Sequence, residues 1–373
     1  MPTCLVYAPL MGADKTGIGN YAYQLLAGLD RTDTAPWHVS ALAGAEYNFT
    51  NIPVEVFDAG RLGRIVNQQL GTGLSNHCDL VHFTDYSMPL APWYRKPSII
   101  TVHDIAFYLS PGLVSPAARF FKTAVLRAGL RRSKGIICVS QSTKNDLCKF
   151  FGVPENKIRV IYHGADHIRP DPTLRDHDAK ATLARLGIRP PCVLFVGTIE
   201  PRKNLVRLVR AFGAALQNPS CSKYRLVIAG SKGWMYEDVF DTVKKLGLEE
   251  RVVFTGYLQE ANLGSVYRGA SAVLYPSLYE GFGFPVLEAM AYGVPVLTSN
   301  VSALPEVAGD AAILVDPSDV GSIAQGIVRI LTDGHLRATL IARCYKQVKK
   351  FTWETTCRET LVFYNEVLGA TGI

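Results

Sequence analysis

The chain has 373 residues, of which 48% are hydrophobic and 19% are charged, and its formal net charge is +7. A chain of this length is longer than most domains that have a single hydrophobic core, so we predict two domains of ordinary size. No apolar run approaches the roughly 18 to 20 residues that span a bilayer, and the start lacks the basic n-region of a signal peptide, so we expect a cytoplasmic protein. The eight cysteines include no Cys-x2-Cys pair, which favours buried free thiols over a disulfide or metal framework.

Short β-branched runs alternate with amphipathic helical stretches along nearly the whole chain, a pattern typical of parallel sheets with helices on both faces. The strands predicted in the first half are Thr3–Ala8, His38–Leu42, Val54–Phe57, Leu80–Phe83, Ser98–Val102, Gly135–Val139 and Arg159–Tyr162. Those in the second half are Cys192–Val196, Arg225–Ala229, Val252–Thr255, Ala272–Tyr275, Val294–Thr298 and Ala312–Val315.

A polar, proline-bearing break at 167–178 separates the two sets of strands. It predicts an α/β protein of two Rossmann-like domains, at 1–170 and 179–352. Residues 353–373 have a helical pattern, and they either cap the second domain or pack back on the first. The break also contains Asp-His-Asp at 176–178, which formally matches a metal-binding D-x-D motif. Because it follows no buried strand, we interpret it as a solvated linker and helix start.

Residues 276–296 carry the densest set of candidate functional groups. A buried-looking strand is followed by a loop containing Gly281-Phe282-Gly283, and a helix is predicted from Pro285 to its stop at Gly293. The carboxyl end of the strand and the helix N-terminus then meet where open α/β sheets bind ligands. We expect Glu280 on the loop and Glu288 in the first helical turn to face one cleft, where carboxylates suit the hydroxyls of two sugars. The alternative is that Glu288 only complements the helix dipole while the glycines make the turn.

Two adjacent cations, Arg202 and Lys203, lie where the strand Cys192–Val196 gives way to a helix, in the motif Gly-Thr-Ile-Glu-Pro-Arg-Lys-Asn. Such a pair suits a diphosphate leaving group, and the alternative is a solvated basic turn. His103 follows a buried-looking strand at its carboxyl end, although a lone histidine is more often structural. Its neighbour Asp104 is expected to hold the histidine tautomer or a nearby loop.

Gly17 and Gly19 fit the pattern G-x-G-x-x-A near the N-terminus. In a dinucleotide fingerprint the first glycine would come directly after the strand, whereas Pro9–Thr16 intervene here, so NAD binding is disfavoured. Both glycines remain candidates for a close approach of the backbone to a ligand.

The segment Glu280-x7-Glu288 resembles the E-x7-E signature of retaining GT-B glycosyltransferases of family GT4, and the likeness extends over nearly the whole chain. The resemblance implies a GT-B fold, in which two Rossmann-like domains with parallel sheets face each other across a cleft. It also implies that Glu280 contacts the donor sugar and Glu288 the nucleotide ribose, while Arg202 and Lys203 meet the diphosphate and His103 orients the sugar. Further donor-binding residues implied by the resemblance are Gly17, Gly19, Gly281, Phe282 and Gly283.

The Gly-Thr-Ile-Glu-Pro-Arg-Lys-Asn form is similar to that of the bacterial mannosyltransferase branch. This implies GDP-mannose as donor and a glycan or polyprenyl-diphosphate-linked acceptor in polysaccharide assembly, with no divalent metal, no cofactor and no nucleic-acid partner. A UDP-hexose or a GDP-deoxyhexose remains open as donor. So do two other classes of function, a GT-B-shaped UDP-sugar epimerase and a non-catalytic nucleotide-sugar-binding protein.

No Asp or Glu occurs between Ile105 and Asn145, a stretch that contains seven Lys and Arg residues. Within it, Ser115–Lys134 has helical spacing, with cations beside an apolar stripe made of Phe120, Phe121, Val125, Leu126 and Leu130. One interpretation is a core-facing helix with a solvated rim. The other is a basic surface at 119–134 that contacts anionic lipid and places the protein at the inner face of the cell membrane.

Overall fold

The computed structural model describes residues 1–12, 17–56, 78–89, 91, 94–110, 112, 114–168, 170 and 176–369. The chain divides into two compact units, one formed by Met1–Gly164 together with Phe351–Ile373 and the other by Ala165–Lys350. The division falls shortly before the polar break at 167–178, and the C-terminal segment belongs to the first unit.

Each unit is built on one parallel sheet. The strands of the first unit are β1 (Thr3–Ala8), β2 (His38–Ala43), β3 (Val54–Val56), β4 (Leu80–Phe83), β5 (Ser98–Val102), β6 (Gly135–Cys138) and β7 (Ile158–Val160). Those of the second are β8 (Cys192–Val196), β9 (Arg225–Ala229), β10 (Val252–Gly256), β11 (Ala270–Tyr275), β12 (Val296–Ser299) and β13 (Ala312–Val315). The strand orders are β3-β2-β1-β4-β5-β6-β7 and β10-β9-β8-β11-β12-β13.

The strand predictions are confirmed, because every predicted strand is present and its ends differ from the prediction by at most two residues. The predicted last residue of β3, Phe57, lies outside the described residues. In β4, β5 and β6 every residue is buried. Parallel strands covered on both faces read as continuous apolar runs, which is why they stand out in the sequence.

The described helices run in chain order between and after the strands. They are α1 (Gly17–Arg31), α2 (Ala106–Leu109), α3 (Pro116–Arg132), α4 (Gln141–Phe151), α5 (Asp176–Arg185), α6 (Leu205–Ala215), α7 (Glu237–Lys245), α8 (Glu260–Gly269), α9 (Phe284–Ala291), α10 (Leu304–Ala308), α11 (Val320–Thr332), α12 (Gly334–Val348) and α13 (Trp353–Leu368). The Asp-His-Asp sequence forms the first turn of α5, as predicted for a helix start.

The C-terminal helix α13 packs on α1 in the first unit. A Cβ atom on Gly28 of α1 would lie 2.5 Å from the Cys357 Sγ atom, so only glycine lets the two helices approach this closely. Asn365 of α13 accepts a hydrogen bond from the Trp37 indole at 2.8 Å. These contacts explain why the chain returns to the first unit after completing the second.

All eight cysteines are free, and seven of them are buried, as expected from their spacing. Cys148 is the half-buried exception. Among the described residues, no helix combines the length and apolar character needed to cross a membrane.

Helix α3 buries one part of the predicted apolar stripe and exposes the other. Val125, Leu126 and Leu130 are buried as expected. Phe120 and Phe121, which we assigned to the same apolar stripe, are 79% and 51% exposed, so they do not share the buried face that the core-facing interpretation requires. Successive residues on a helix point about 100° apart, and the stripe centred on the last two turns leaves both phenylalanines in the second turn facing outward.

Two cations of the basic stretch are bound within the first unit. The guanidinium of Arg132 donates to the carbonyls of Pro89, Ala91 and Tyr94 at 2.6 to 2.9 Å. That of Arg119 donates to the Tyr108 carbonyl at 2.7 Å. The exposed cations on and just after α3 are Arg127, Arg131 and Lys134.

Candidate active site

Glu280 lies on the loop between β11 and α9, and only 7% of its surface is exposed. Its Oε2 atom accepts a hydrogen bond from Arg202 Nη1 at 2.6 Å. Its Oε1 atom accepts from Lys203 Nζ at 2.6 Å and from the Tyr275 hydroxyl at 2.9 Å. Three of the residues predicted for the site are therefore in direct contact, and Tyr275 joins them.

Arg202 is held by more than Glu280. Its Nε and Nη2 atoms donate to Glu200 Oε1 at 3.1 and 2.8 Å, and Nη1 donates to the Tyr279 carbonyl at 2.9 Å. Two carboxylates thus face two cations. The sequence interpretation, in which both cations face a diphosphate, missed this internal neutralisation by Glu200 and Glu280.

Burial and the neighbouring cations have opposite effects on the pKa of Glu280. Burial alone would raise the pKa of this carboxyl, but the charges of Lys203 and Arg202 and their hydrogen bonds hold the pKa at about 2. Burial lowers the pKa of the Lys203 ammonium below its ordinary value, although the Glu280 carboxylate favours the charged form. Glu280 is consequently ionised at neutral pH and acts there as an acceptor of hydrogen bonds, not as a proton donor.

Asn204 connects the cluster to two other loops at the same edge of the sheet. The 3-10 turn Pro201–Lys203 ends at Asn204, whose φ of +63° is in the left-handed region that asparagine tolerates better than most residues. Its buried amide donates to the carbonyls of Pro276 at 2.9 Å and Pro317 at 2.7 Å. The loops after β8, β11 and β13 are joined at this one side chain.

The backbone of Glu280 is fixed by the loop before α10. Ser302, with a φ of +55°, accepts a hydrogen bond on its Oγ atom from the Glu280 N–H at 3.0 Å. The N–H of Ala303 donates to the Glu280 carbonyl at 3.3 Å. A left-handed φ is costly for serine, and such strain persists where surrounding contacts determine the geometry. The position of the Glu280 carboxylate is therefore set by backbone as well as side-chain contacts.

Glu288 occupies a different environment. We predicted it in the first turn of its helix, which is wrong, because α9 begins at Phe284 and has no acidic residue in its first turn. Its Oε2 atom accepts a hydrogen bond from the buried Tyr267 hydroxyl at 2.6 Å, and the Tyr267 ring stacks on Tyr292. This position argues against the alternative in which Glu288 only complements the helix dipole, since the interaction with the dipole is confined to the first turn.

The loop between the two glutamates is buried at Gly281, Phe282 and Gly283. Gly283 has a φ of +110°, and a Cβ atom there would lie 2.7 Å from the Leu304 side chain, so glycine is required. Gly283 is also the N-terminal flanking residue of α9, which has Pro285 in its first turn and no side-chain cap. In the first turn of α9 Pro285 has no N–H, and the N–H of Val286 donates to the Gly283 carbonyl at 3.0 Å.

In the first unit, His103 directly follows β5. Its Nε2 atom donates a hydrogen bond to the Thr84 carbonyl at 2.8 Å, which leaves Nδ1 as the acceptor of the neutral ring. Burial lowers the pKa of His103 below its ordinary value and outweighs the opposing effects of Thr84 and Asp104. Asp104 accepts from the Ala106 N–H at 2.9 Å and so holds the turn into α2, the second of the two roles we expected for it.

Gly17 and Gly19 lie in the first turn of α1, not in a loop. A Cβ atom on Gly17 would meet open space, whereas Gly19 is buried. The residues at 13–16 that precede them lie outside the described part of the chain.

Comparison with known proteins assigns both units. Residues 182–347 match the family model described as Glycosyl transferases group 1, and residues 16–169 match the Glycosyltransferase Family 4 model. The O-antigen chain mannosyltransferase B of Escherichia coli is 33% identical over 276 residues, covering 73% of this chain and 71% of that protein. The chain is a family 4 glycosyltransferase. The E. coli serotype-specific mannosyltransferase WbdA is 28% identical over 296 residues, covering 74% of this chain but 34% of that longer protein.

Solved structures support the fold prediction for this glycosyltransferase. A sucrose-phosphate synthase from Thermosynechococcus elongatus matches with a TM-score of 0.78 at 22% identity, covering 100% of both chains. Anabaena HepE, crystallised with UDP and glucose, matches with a TM-score of 0.76 at 19% identity, covering 98% of this chain and 100% of HepE. The α/β class with two parallel sheets, and the GT-B type, are confirmed. Family membership sets aside the epimerase and non-catalytic alternatives.

Proposed function

We propose that this glycosyltransferase transfers a mannosyl residue from GDP-mannose, with retention of configuration, to a hydroxyl of a glycan or polyprenyl-diphosphate-linked acceptor. The buried contact of Glu280 with Arg202 and Lys203 at the carboxyl edge of the second sheet carries the proposal. The choice of mannose is supported by the 33% identity to the O-antigen mannosyltransferase of E. coli.

In this proposal Glu280 binds hydroxyls of the donor sugar. An ionised carboxylate accepts hydrogen bonds from vicinal hydroxyls, and the pKa of about 2 keeps Glu280 ionised throughout the physiological range. The diphosphate then competes with Glu280 and Glu200 for Arg202 and Lys203. Negative charge grows on the diphosphate as the bond to the sugar breaks, so these cations favour the transition state over the ground state.

Glu288 is proposed to bind the nucleotide ribose. The hydrogen bond from Tyr267 fixes the orientation of its carboxylate on the second turn of α9. The backbone of the loop around Phe282 and Gly283 is proposed to contact the sugar or the diphosphate. Sugar and ribose contacts would then come from the loop and helix at 279–288, and diphosphate contacts would come from Arg202 and Lys203.

The reaction needs no protein nucleophile in the mechanism that the family resemblance implies. The bond between the sugar C1 and the diphosphate oxygen breaks, and the acceptor oxygen bonds to C1 on the same face. The acceptor's proton passes to the departing diphosphate oxygen. His103, neutral and with Nε2–H directed at the Thr84 carbonyl, is proposed to orient a sugar hydroxyl through Nδ1.

We also propose that the outward surface of α3 contacts an anionic membrane at the inner face of the cell. This surface consists of Phe120, Phe121, Arg127, Arg131 and Lys134, which combine exposed aromatic rings with positive charge. Aromatic side chains and cations on one helix face are typical of helices that lie in the membrane interface. A lipid-linked acceptor would be reached from such a surface.

A thermal-shift panel of GDP, UDP, ADP and TDP sugars tests the donor assignment, because a bound donor raises stability by mass action. GDP-mannose should give the largest shift in melting temperature. Because we expect no metal ion to be needed, that shift should be the same with and without EDTA. Release of GDP should increase when a lipid-linked glycan acceptor is added. A larger shift with UDP-hexoses or GDP-deoxyhexoses would replace the donor, and nucleotide release that never depends on acceptor would count against transfer.

A further inference from the structure

A path of buried hydrogen bonds lies beneath His103. His82 of β4 is completely buried, and its Nε2 atom is 2.8 Å from Thr101 Oγ1 while its Nδ1 atom is 2.7 Å from the Tyr364 hydroxyl. The Thr101 hydroxyl also lies 3.3 Å from the hydroxyl of Tyr21. The path therefore joins α13, β4, β5 and α1 through four polar side chains.

The path can be hydrogen-bonded in two directions, which differ in the tautomer of His82. Burial keeps the His82 ring neutral by lowering its pKa to about 3, so the ring carries one N–H and one acceptor nitrogen. If Nδ1–H donates to Tyr364, the Thr101 hydroxyl donates to Nε2 and the Tyr21 hydroxyl donates to Thr101. In the other tautomer Thr101 donates to Tyr21, whose own proton then needs a different acceptor. In the first arrangement the Tyr364 proton likewise needs an acceptor outside the path, and the Cys4 thiol is a hydrogen-bond partner of Tyr364.

The Tyr21 end of the path reaches the ring of His103, and a separate series of ring contacts reaches it from Trp353. The Tyr21 ring packs edge-on against the His103 ring with centroids 4.8 Å apart. Trp353, the first residue of α13, stacks on His163 at 6.1 Å, and His163 stacks on His103 at 5.4 Å. Helix α13 thus contacts the ring next to His103 through Trp353 and joins the hydrogen-bonded path through Tyr364.

Such a path is an expensive way to fill a core. Buried polar groups cost free energy unless each is hydrogen-bonded, whereas apolar side chains of similar volume would pack at this depth without that requirement. What a fully satisfied network provides is a unique geometry. His82 is 0% exposed and does not meet solvent, so any effect it has on a substrate passes through its neighbours.

We infer that His82 and Thr101 are positioning residues, which with Tyr364 hold the Tyr21 ring and thereby set the angle of the His103 ring toward the donor sugar. The inference rests on the role proposed above for His103. It adds a function for α13, which anchors the far end of the path from the last helix of the chain.

Thr101→Val in the full-length protein is the direct test, because it removes the shared hydroxyl with little change of shape. Turnover of GDP-mannose with a lipid-linked glycan acceptor should show kcat lowered about tenfold by the altered angle of His103. The KM for GDP-mannose should stay within about twofold of wild type, since donor binding is unchanged. Ring 15N signals of His103 should shift in the same variant.

Two further variants serve as controls. Thr101→Ser keeps the hydroxyl and should restore both the rate and the His103 signals. Thr360→Val removes an equally buried threonine hydroxyl that donates within α13, to the Thr356 carbonyl, and should resemble wild type.

Unchanged kcat or unchanged His103 signals in Thr101→Val would overturn the inference. If that variant does not fold, Tyr364→Phe breaks the other end of the path and should cause the same changes to a smaller degree. The absence of any change in kcat and in the His103 signals of Tyr364→Phe would also overturn the inference. His103→Ala separates the two proposals. Wild-type turnover in His103→Ala would refute the role of His103 in the reaction, and with it the positioning role, even where the NMR signals show the path to be intact.

Discussion

Lys203 Nζ lies 2.6 Å from Glu280 Oε1, and the two side chains are only 10% and 8% exposed. A buried ion pair of this kind contributes little over an apolar core, but removing one partner leaves the other charge uncompensated. Arg202 and Tyr275 complete the coordination of the carboxylate. In the proposed function, stability and donor binding therefore depend on the same group of atoms.

Lys203→Met should lower the free energy of unfolding by about 3 to 5 kcal/mol, because Glu280 loses one of its two cations. The pKa of Glu280 should rise in this variant. Urea unfolding measures the first effect. Lys245→Met, at an exposed position on α7, is the matched control and should leave the unfolding curve unchanged. Equal curves for the wild type and Lys203→Met would show that the pair is not buried as described.

Glu280→Gln should lower kcat about 100-fold, because a neutral amide neither holds two cations nor accepts sugar hydroxyls as a carboxylate does. The thermal shift produced by GDP alone should persist, since Glu280 is proposed to contact the donor sugar and not the nucleotide. Steady-state kinetics at saturating GDP-mannose provides the measurement. A variant that keeps the wild-type kcat would remove Glu280 from the donor-sugar contact.

Glu288→Gln should instead weaken GDP binding about tenfold, the effect of losing a charged hydrogen bond to ribose. Isothermal titration calorimetry with GDP gives the dissociation constant directly. Glu250→Gln, at an exposed position, is the control. If Glu280→Gln and Glu288→Gln merely unfolded the protein to the same degree, the interpretation of this segment as a turn with a dipole-complementing acid would be favoured.

The protein should lose stability in acid through two groups in particular. The pKa of His82 is lowered from 6.5 to about 3 by burial, so the unfolded chain binds a proton that the folded protein excludes. The contribution of the neutral His82 ring to the stability of the fold is complete above pH 6.5 and is lost as pH falls toward 3. The pKa of Glu280 is lowered from 4.5 to about 2 against the effect of burial, so a further loss of stability is expected as pH falls between those two values. Urea unfolding across this range should show a weaker pH dependence in His82→Gln, and an unchanged one would contradict the assignment.

Phe120→Ser combined with Phe121→Ser should release the protein from liposomes containing anionic lipid, because both rings leave the exposed surface of α3. Flotation at low salt measures this binding, and Arg131→Glu should act in the same direction. Arg132→Met should behave differently, with lower stability but undiminished liposome binding of the folded fraction, since its guanidinium bonds three carbonyls. Failure of the wild type to float would refute the membrane contact.

Local patterns in the sequence were sufficient for the strands, whose ends they gave to within two residues. They could not reveal contacts between residues far apart in sequence. Asn204 reaches Pro317 across 113 positions, and His82 reaches Tyr364 across 282. Each is a single side chain with no periodic or spaced signature, and only the folded chain brings the partners together.

Candidate site residues were found where a motif concentrates charge, as for Arg202, Lys203 and Glu280. Their mutual neutralisation was missed because a motif gives residue types and spacing, not which atoms meet. The sequence left open, for a related reason, whether Phe120 and Phe121 face the core or the surface. An apolar residue on a helix reads as core in the sequence whether or not a neighbouring element covers it.

The anomeric configuration of the first product formed from GDP-α-mannose tests the proposed function most directly. Proton NMR of a lipid-linked glycan acceptor, incubated with the wild type and with Glu280→Gln, gives that configuration. We expect an α-mannosyl product from the wild type and very little product from Glu280→Gln. A β-mannosyl product, or equal amounts of product from both proteins, would contradict retaining transfer at the Glu280 cluster.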